Sequence, residues 1–353
     1  MHPASNRCRM TEVARVISVS RRTDIPAFYT EWFMNRLRAG FCHWMNPFGG
    51  QVYRVSLLPG DCLALVFWTR NARPLIPHVA DLRARGFHFY FQYTINGYRR
   101  EIDSHAPPAG AAVAAFRRLA ELMGPGLVMW RYDPVILSSA TPVSYHVERF
   151  ESLSAALQGS TDRCYVSFLD SYGKTERNLH RVNDELGLRL RRPEVAEQRE
   201  LLARFVEIAS DRGMTVHACC DEAALDLGVE QAHCIDADVI RRLGPDVDAR
   251  LKLVPSRPGC GCAQAVDIGA YDTCTFGCIY CYATNSRQAA VNRRSHHDPE
   301  DTILWRPESL RAADLATIAQ RPKNTVTTRR EKPLASTLFA DLPPQGQCGR
   351  SLL

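Results

Sequence analysis

The sequence predicts an α/β protein: a partial, TIM-like (β/α)6 barrel followed by a C-terminal cysteine-rich region. Three observations predict it. Six apolar runs of strand length alternate with stretches of helical periodicity. Those runs are almost continuously apolar, as in parallel strands buried on both faces. Eight of the thirteen cysteines of the 353-residue chain crowd into one stretch, from Cys219 to Cys281.

The elements follow in order. Ala14–Ser20 (ARVISVS) is the first strand and ends in RRTD. Ala27–Gly40 has helical periodicity and a glycine stop. Gln51–Leu57 is a short extra strand, and Cys62–Thr69 the second main strand. A helix over Leu75–Gly86 leads to the third, Phe87–Thr94. The alanine-rich helix Ala109–Gly124 precedes the fourth, Gly126–Tyr132. Val143–Gln158 is helical, Cys164–Asp170 the fifth strand, Glu194–Gly213 a helix and Met214–Cys220 the sixth strand. Six such units make an incomplete form of the eight-unit barrel. Residues 14–220 are therefore assigned to the barrel. Residues 221–319 are assigned to a cysteine-rich region packed on its mouth. The first thirteen residues and the polar, proline-rich 320–353 are expected to be loose.

No apolar run is long enough to span a membrane, and the N-terminus lacks the apolar stretch of a secretory signal. A cytoplasmic location is expected. Disulfides are disfavoured there, so crowded cysteines point to metal or redox chemistry. Cys8, Cys42, Cys62, Cys164 and Cys348 are scattered and read as small buried hydrophobes. The net charge of +6 is compatible with anionic partners, nucleic acid included, but no block is as dense as a nucleic-acid arm.

Ligands of parallel α/β folds bind at the C-terminal strand ends. The ends here are polar. They carry Arg21, Arg22, Thr23 and Asp24; Trp68, Thr69, Arg70 and Asn71; Gln92 and Tyr93; Arg131, Tyr132 and Asp133; Asp170; and Cys220, Asp221 and Glu222. Such a set suits a lined cavity. The guanidinium fork of Arg21, Arg22, Arg70 or Arg131 matches a carboxylate or phosphate. Asp24, Asp133 and Asp170 are candidates for hydroxyl or amino groups.

Cys274, Cys278 and Cys281 form C-x3-C-x2-C in CTFGCIYCYATN. Structural zinc usually takes four ligands, often as two C-x2-C pairs. A [4Fe–4S] cluster held by only three cysteines keeps one iron open to a ligand. The triplet, with an aromatic before its third cysteine, resembles the motif of the radical S-adenosylmethionine (SAM) superfamily. That resemblance implies a SAM-binding [4Fe–4S] cluster on Cys274, Cys278 and Cys281, with Tyr280 against the adenine. It also implies a partial (β/α)6 barrel and a reductase, flavodoxin or ferredoxin as electron donor. In most members the triplet follows the first strand; here it follows the sixth predicted strand, as in a circular permutation. Longer pieces (ISVSRRTDIPAFY, QVYRVSL, VFWTRN, YFQYTINGY, WRYDP, GCIYCYATN) are similar to family 1848 of the domains of unknown function. The resemblance covers residues 16–285 and departs at Phe276 and Ala72. GCIYCYA also resembles, locally, spore photoproduct lyase.

Cys220, Cys234, Cys260 and Cys262 supply the right number of thiolates for a second [4Fe–4S] cluster. Zinc is the alternative there, and Cys219 the alternative to Cys220. In the linking DIGAYDT, Gly269 suits a tight turn and Asp267 or Asp272 suits backbone amides. His296 and His297 read as exposed. The expected function is a radical SAM enzyme that cleaves SAM to a 5′-deoxyadenosyl radical, on a substrate the sequence does not name. The rivals are a metal-stabilised nucleic-acid-binding protein and a radical enzyme acting on nucleic acid.

Overall fold

The computed structural model describes residues 14–169, 183–185, 187–218, 226–244, 251–254 and 260–320. Its centre is an eight-stranded sheet, parallel throughout. The six predicted strands are present as β1 (Arg15–Val19), β4 (Cys62–Thr69), β5 (Phe89–Thr94), β6 (Val128–Val135), β7 (Arg163–Phe168) and β8 (Thr215–Ala218). They lie side by side in that sequence order. Each pair is joined by a crossover that includes helix: α1 (Ile25–Phe28) with α2 (Thr30–Ala39), α3 (Val79–Ala84), α4 (Ala109–Met123), α5 (Val143–Leu157) and α6 (Val195–Ser210). Such crossovers are what parallel pairing demands.

The two ends of the sheet differ from the expected arc. β9 (Glu230–Gln231) extends it beyond β8, and β10 (Ala265–Asp267) pairs with β1 at the opposite edge. No pairing joins β9 to β10 among the described residues, so the sheet is an open α/β sheet with two edges. The motif loop therefore follows β10 beside β1, and not the sixth strand. The short extra strand is one arm of an antiparallel hairpin, β2 (Phe41–Met45) with β3 (Val52–Ser56). Val52 packs on Ile303 and Leu315, the latter from the C-terminal helix Ala312–Gln320.

Alternation along the strands divides the core. One face turns Ile17, Phe67, Phe91, Trp130 and Val166 toward Phe33, Phe116, Phe150 and Phe205 of the helices. The other turns Val16, Val66, Tyr90, Met129 and Tyr165 toward Ile235, Cys260 and Cys262, and toward Val239 and Ile240 of α7 (Ala237–Leu243). Both faces are covered, hence the unbroken apolar runs. Among the described residues no helix is long and apolar enough to cross a membrane.

Candidate functional site

The motif loop is pinned at both roots. Asp267, the last residue of β10, accepts from Ser18 and Ser20 hydroxyls, the Arg21 N–H (2.8 Å) and the Gly269 N–H (3.0 Å). This joins the C-terminal ends of β1 and β10. Gly269 serves close approach rather than a tight turn: a Cβ there would lie 2.1 Å from the Ser20 Oγ. Asp272 then closes the loop on itself. Its N–H donates to the Ala283 carbonyl (2.9 Å), and its carboxylate accepts from the Asn285 N–H and side-chain amide. Both aspartates thus do bond backbone amides.

Between those roots the loop lies against the segment after β5. Ile279 N–H donates to the Ile102 carbonyl (3.1 Å) and His105 N–H to that of Phe276 (3.1 Å). Ser104 Oγ donates to the Phe276 and Gly277 carbonyls. Gly277 has φ +69°, and a Cβ would meet Ser104 Oγ at 2.7 Å, so glycine is required. Phe276 is buried, its ring 4.6 Å from that of Phe28.

The three motif thiols influence one another electrostatically. Burial first, then Cys281 and Asp24, push the Cys274 thiol up to about 12. Burial also pushes the Cys278 thiol up, with Arg70 opposing and Asp103, Cys281 and Cys274 adding to the rise. Thiols gathered this way repel as thiolates, and a cation core removes that conflict. Arg70 Nη1 stands 3.5 Å from the Cys278 Sγ. The same guanidinium donates to the Tyr280 hydroxyl and pairs with Asp103, and Tyr280 donates to Asp103 (2.8 Å). Asn96 donates to Tyr280 (3.4 Å) and to the Asp133 carbonyl (3.0 Å).

Asp24 lies beneath the motif. Its carboxylate accepts from Thr69 Oγ1 (2.8 Å), the Arg70 N–H (2.7 Å) and the Ala27 N–H (2.9 Å), capping α1. Burial pushes it up to about 7 against those three bonds.

The second cysteine group sits on the sheet face that α7 covers. Cys262 is raised by a hydrogen bond to Cys234, then by burial and by the charge of Cys234, with Cys260 also within hydrogen-bonding reach. Arg131, buried between Trp68 and Tyr165, pairs with Asp133, bonds Gln92 Oε1 (3.3 Å) and reaches the Cys234 Sγ (3.9 Å). On Arg21, burial opposes the charge while Asp267, Tyr282, Cys234 and Cys262 favour it, for a net upward shift. Arg22 lies between the rings of Trp44 and Tyr271, 3.9 Å from Asp267.

The predicted residues therefore fall into two connected groups. Cys274, Cys278, Cys281, Tyr280, Arg70 and Asp24 form one; Cys234, Cys260, Cys262, Arg131 and Arg21 form the other. Asn96 and Asp133 lie between them. Asp170, Cys219 and Cys220 fall outside the described residues. Among the described residues, no group of three or more His, Cys, Asp or Glu side chains stands in metal-holding geometry as it is. What the loop offers is the donor type, the donor number and a neighbouring guanidinium, and these fit an anionic thiolate-bound cluster. Asp103, Asn96 and Ser104 lie beyond Gln92 and Tyr93, the polar residues that the sequence singles out at the third strand end; the charged IDSH further along the same connection is the signal that points to them. Cys42, Cys62 and Cys164 are small buried residues, as expected. His296 is exposed, but His297 is half-buried and bonds the Leu304 carbonyl (2.9 Å).

Fold and site define a class: an open parallel α/β sheet carrying two thiol groups, one on a loop at the C-terminal strand ends and one on the face that α7 covers. Within that class, the chain belongs to the family described as a domain of unknown function, DUF1848, whose family model matches residues 16–283. No curated protein matches the chain.

Proposed function

We propose that the protein is a radical SAM enzyme in which Cys274, Cys278 and Cys281 hold a [4Fe–4S] cluster with one open iron. One observation carries the reading: in space the triplet follows the first strand of the row. The sheet order runs β10, β1, β4, β5, β6, β7, β8, β9. The motif is last in sequence, yet its strand stands at the head of the row, as the superfamily arrangement requires. The sequential strand order likewise supports reading the sheet as an arc of a (β/α) barrel. The displaced motif is then a circular permutation.

When bound, the cluster and SAM supply one-electron reduction and a carbon-centred radical, chemistry the protein cannot make from side chains. The residues do the rest. Arg70 places a fixed positive charge on Cys278, and Asp103 and Tyr280 hold that guanidinium in place. Asp267 fixes the loop to β1. Arg131 gives the Cys234, Cys260 and Cys262 group its own cation, which suits a second cluster with Cys220 as the fourth ligand.

The test is anaerobic reconstitution with iron and sulfide, then dithionite and SAM. The expected result is 5′-deoxyadenosine formation that Cys278→Ala abolishes, with about eight irons per chain if both groups load as cubanes. Zinc alone in the purified protein, with SAM left intact, overturns the reading and turns attention to nucleic-acid binding.

A further inference from the structure

Beside the motif loop, at the C-terminal ends of β4 and β5, lies a cavity of about 290 Å³. It has room for roughly ten waters, taking each water's share of the liquid. Arg70, Arg99 and Arg100 line it, and Asp103 is the one carboxylate among its lining residues. That carboxylate is engaged by Arg70 and Tyr280. Arg100 donates to the Ser104 and Ala106 carbonyls, which hold its guanidinium without neutralising it. Arg99 is exposed. The Nε of Arg70 is buried and has no hydrogen-bond partner.

The opposite wall is the start of α4. Pro108, Ala109 and Ala112 line the cavity. This helix of 15 residues has no side-chain cap and no acidic residue in its first turn. Its first N–H groups and the positive end of its dipole therefore face the same space as the arginines. Two independent devices for holding an anion converge, and a buried donor stands unsatisfied beside them.

We propose that this cavity binds a phosphate group of the substrate and sets that group beside Cys278. The proposal names the substrate class for the centre proposed above and rests on that reading only for the chemistry that follows binding. A phosphate carried on a small metabolite and one carried in a nucleic-acid strand share this chemistry.

The test is calorimetric titration of inorganic pyrophosphate into the full chain, without iron reconstitution, at fixed ionic strength. Saturable binding is expected, weakened at least tenfold by Arg99→Ala. Ala109→Glu is the sharper variant. An acid in the first turn favours the helix, so the melting temperature should not fall, yet its charge faces the anion and should abolish binding. Arg118→Ala, on the same helix but paired with Glu121, should leave binding unchanged. A parallel titration with oligothymidylate, competed by pyrophosphate, separates a polymer phosphate from a metabolite phosphate. Absent saturable binding, or equal affinity in Ala109→Glu, overturns the proposal. Failure of SAM cleavage would remove the radical reading and leave this result standing.

Discussion

Asp103 is what makes a buried arginine tolerable beside three cysteines. The side chains of Arg70 and Asp103 are 13% and 3% exposed. A guanidinium that deep needs a countercharge, and Asp103 supplies it while also accepting from Tyr280. Removing one partner of a buried pair leaves the other uncompensated. Asp103→Ala should therefore cost about 3 kcal/mol or more of stability, measured by urea unfolding. A loss below about 1 kcal/mol would mean that the pair is solvated and that Arg70 is not held against Cys278. In the sequence Arg70 is a candidate by its strand-end position and Tyr280 by the resemblance of the motif. Their mutual contact, and Asp103 between them, depend on a loop and a strand end more than two hundred residues apart.

At the level of elements, β10 is three residues long and would not be a strand on its own propensity. Asp267 holds it to β1, by taking three donors from β1 and the two residues after it and a fourth from the Gly269 N–H of its own turn. Asp267→Ala would leave buried Ser18 and Ser20 hydroxyls and two N–H groups without their acceptor. Each unsatisfied buried donor costs about 1–3 kcal/mol, and serine rotation and water recover part of it. A loss of about 3 kcal/mol is expected, with amide exchange accelerated first in β10 and residues 268–285 and only weakly in β5 and β6. Uniform acceleration across the sheet would show that β10 is not a separable edge. The same element shows what the sequence could reveal and what it could not. The six central strands were legible because helices and the cysteine-rich segment bury them on both faces, which writes long apolar runs into the chain. The hairpin was half seen, since FCHWM follows a helix stop without alternation while VYRVS alternates. β10 left no local trace. Ser18 and Asp267 are 249 positions apart, and their pairing is a property of the closed fold. The triplet itself was plain in the sequence, but its place at the head of the row was not.

For the whole molecule, the motif thiols tie stability to pH and to metal together. Cys274 is raised from an ordinary value of 9.0 to about 12, by burial and then by its neighbours, and burial raises Cys278 as well. Above pH 9 the unfolded chain releases these protons while the folded chain keeps them. The folded state then binds more protons, so stability is full below pH 9 and falls as pH rises toward the folded values. For Cys274, moved from 9 to about 12, the loss by pH 9.5 is about 0.8 kcal/mol, and Cys278 adds to it in the same direction. Buried tyrosines, raised from an ordinary value of 10.0, and Cys42 and Cys164, raised from 9.0, add to the loss in the same direction, but none of them is a ligand, so their share is common to the loaded and unloaded forms. Iron ligation requires the thiolates, so loading the centre removes both protons from the folded state beforehand. The reconstituted protein should lack this part of the alkaline loss, and loading should release protons measurable in weak buffer. Urea unfolding at pH 8 and pH 9.5, with and without iron, checks it. A pH dependence identical in the two forms would mean that Cys274 and Cys278 keep their protons in the loaded protein. They could not then be the ligands, whatever metal the purified chain contains.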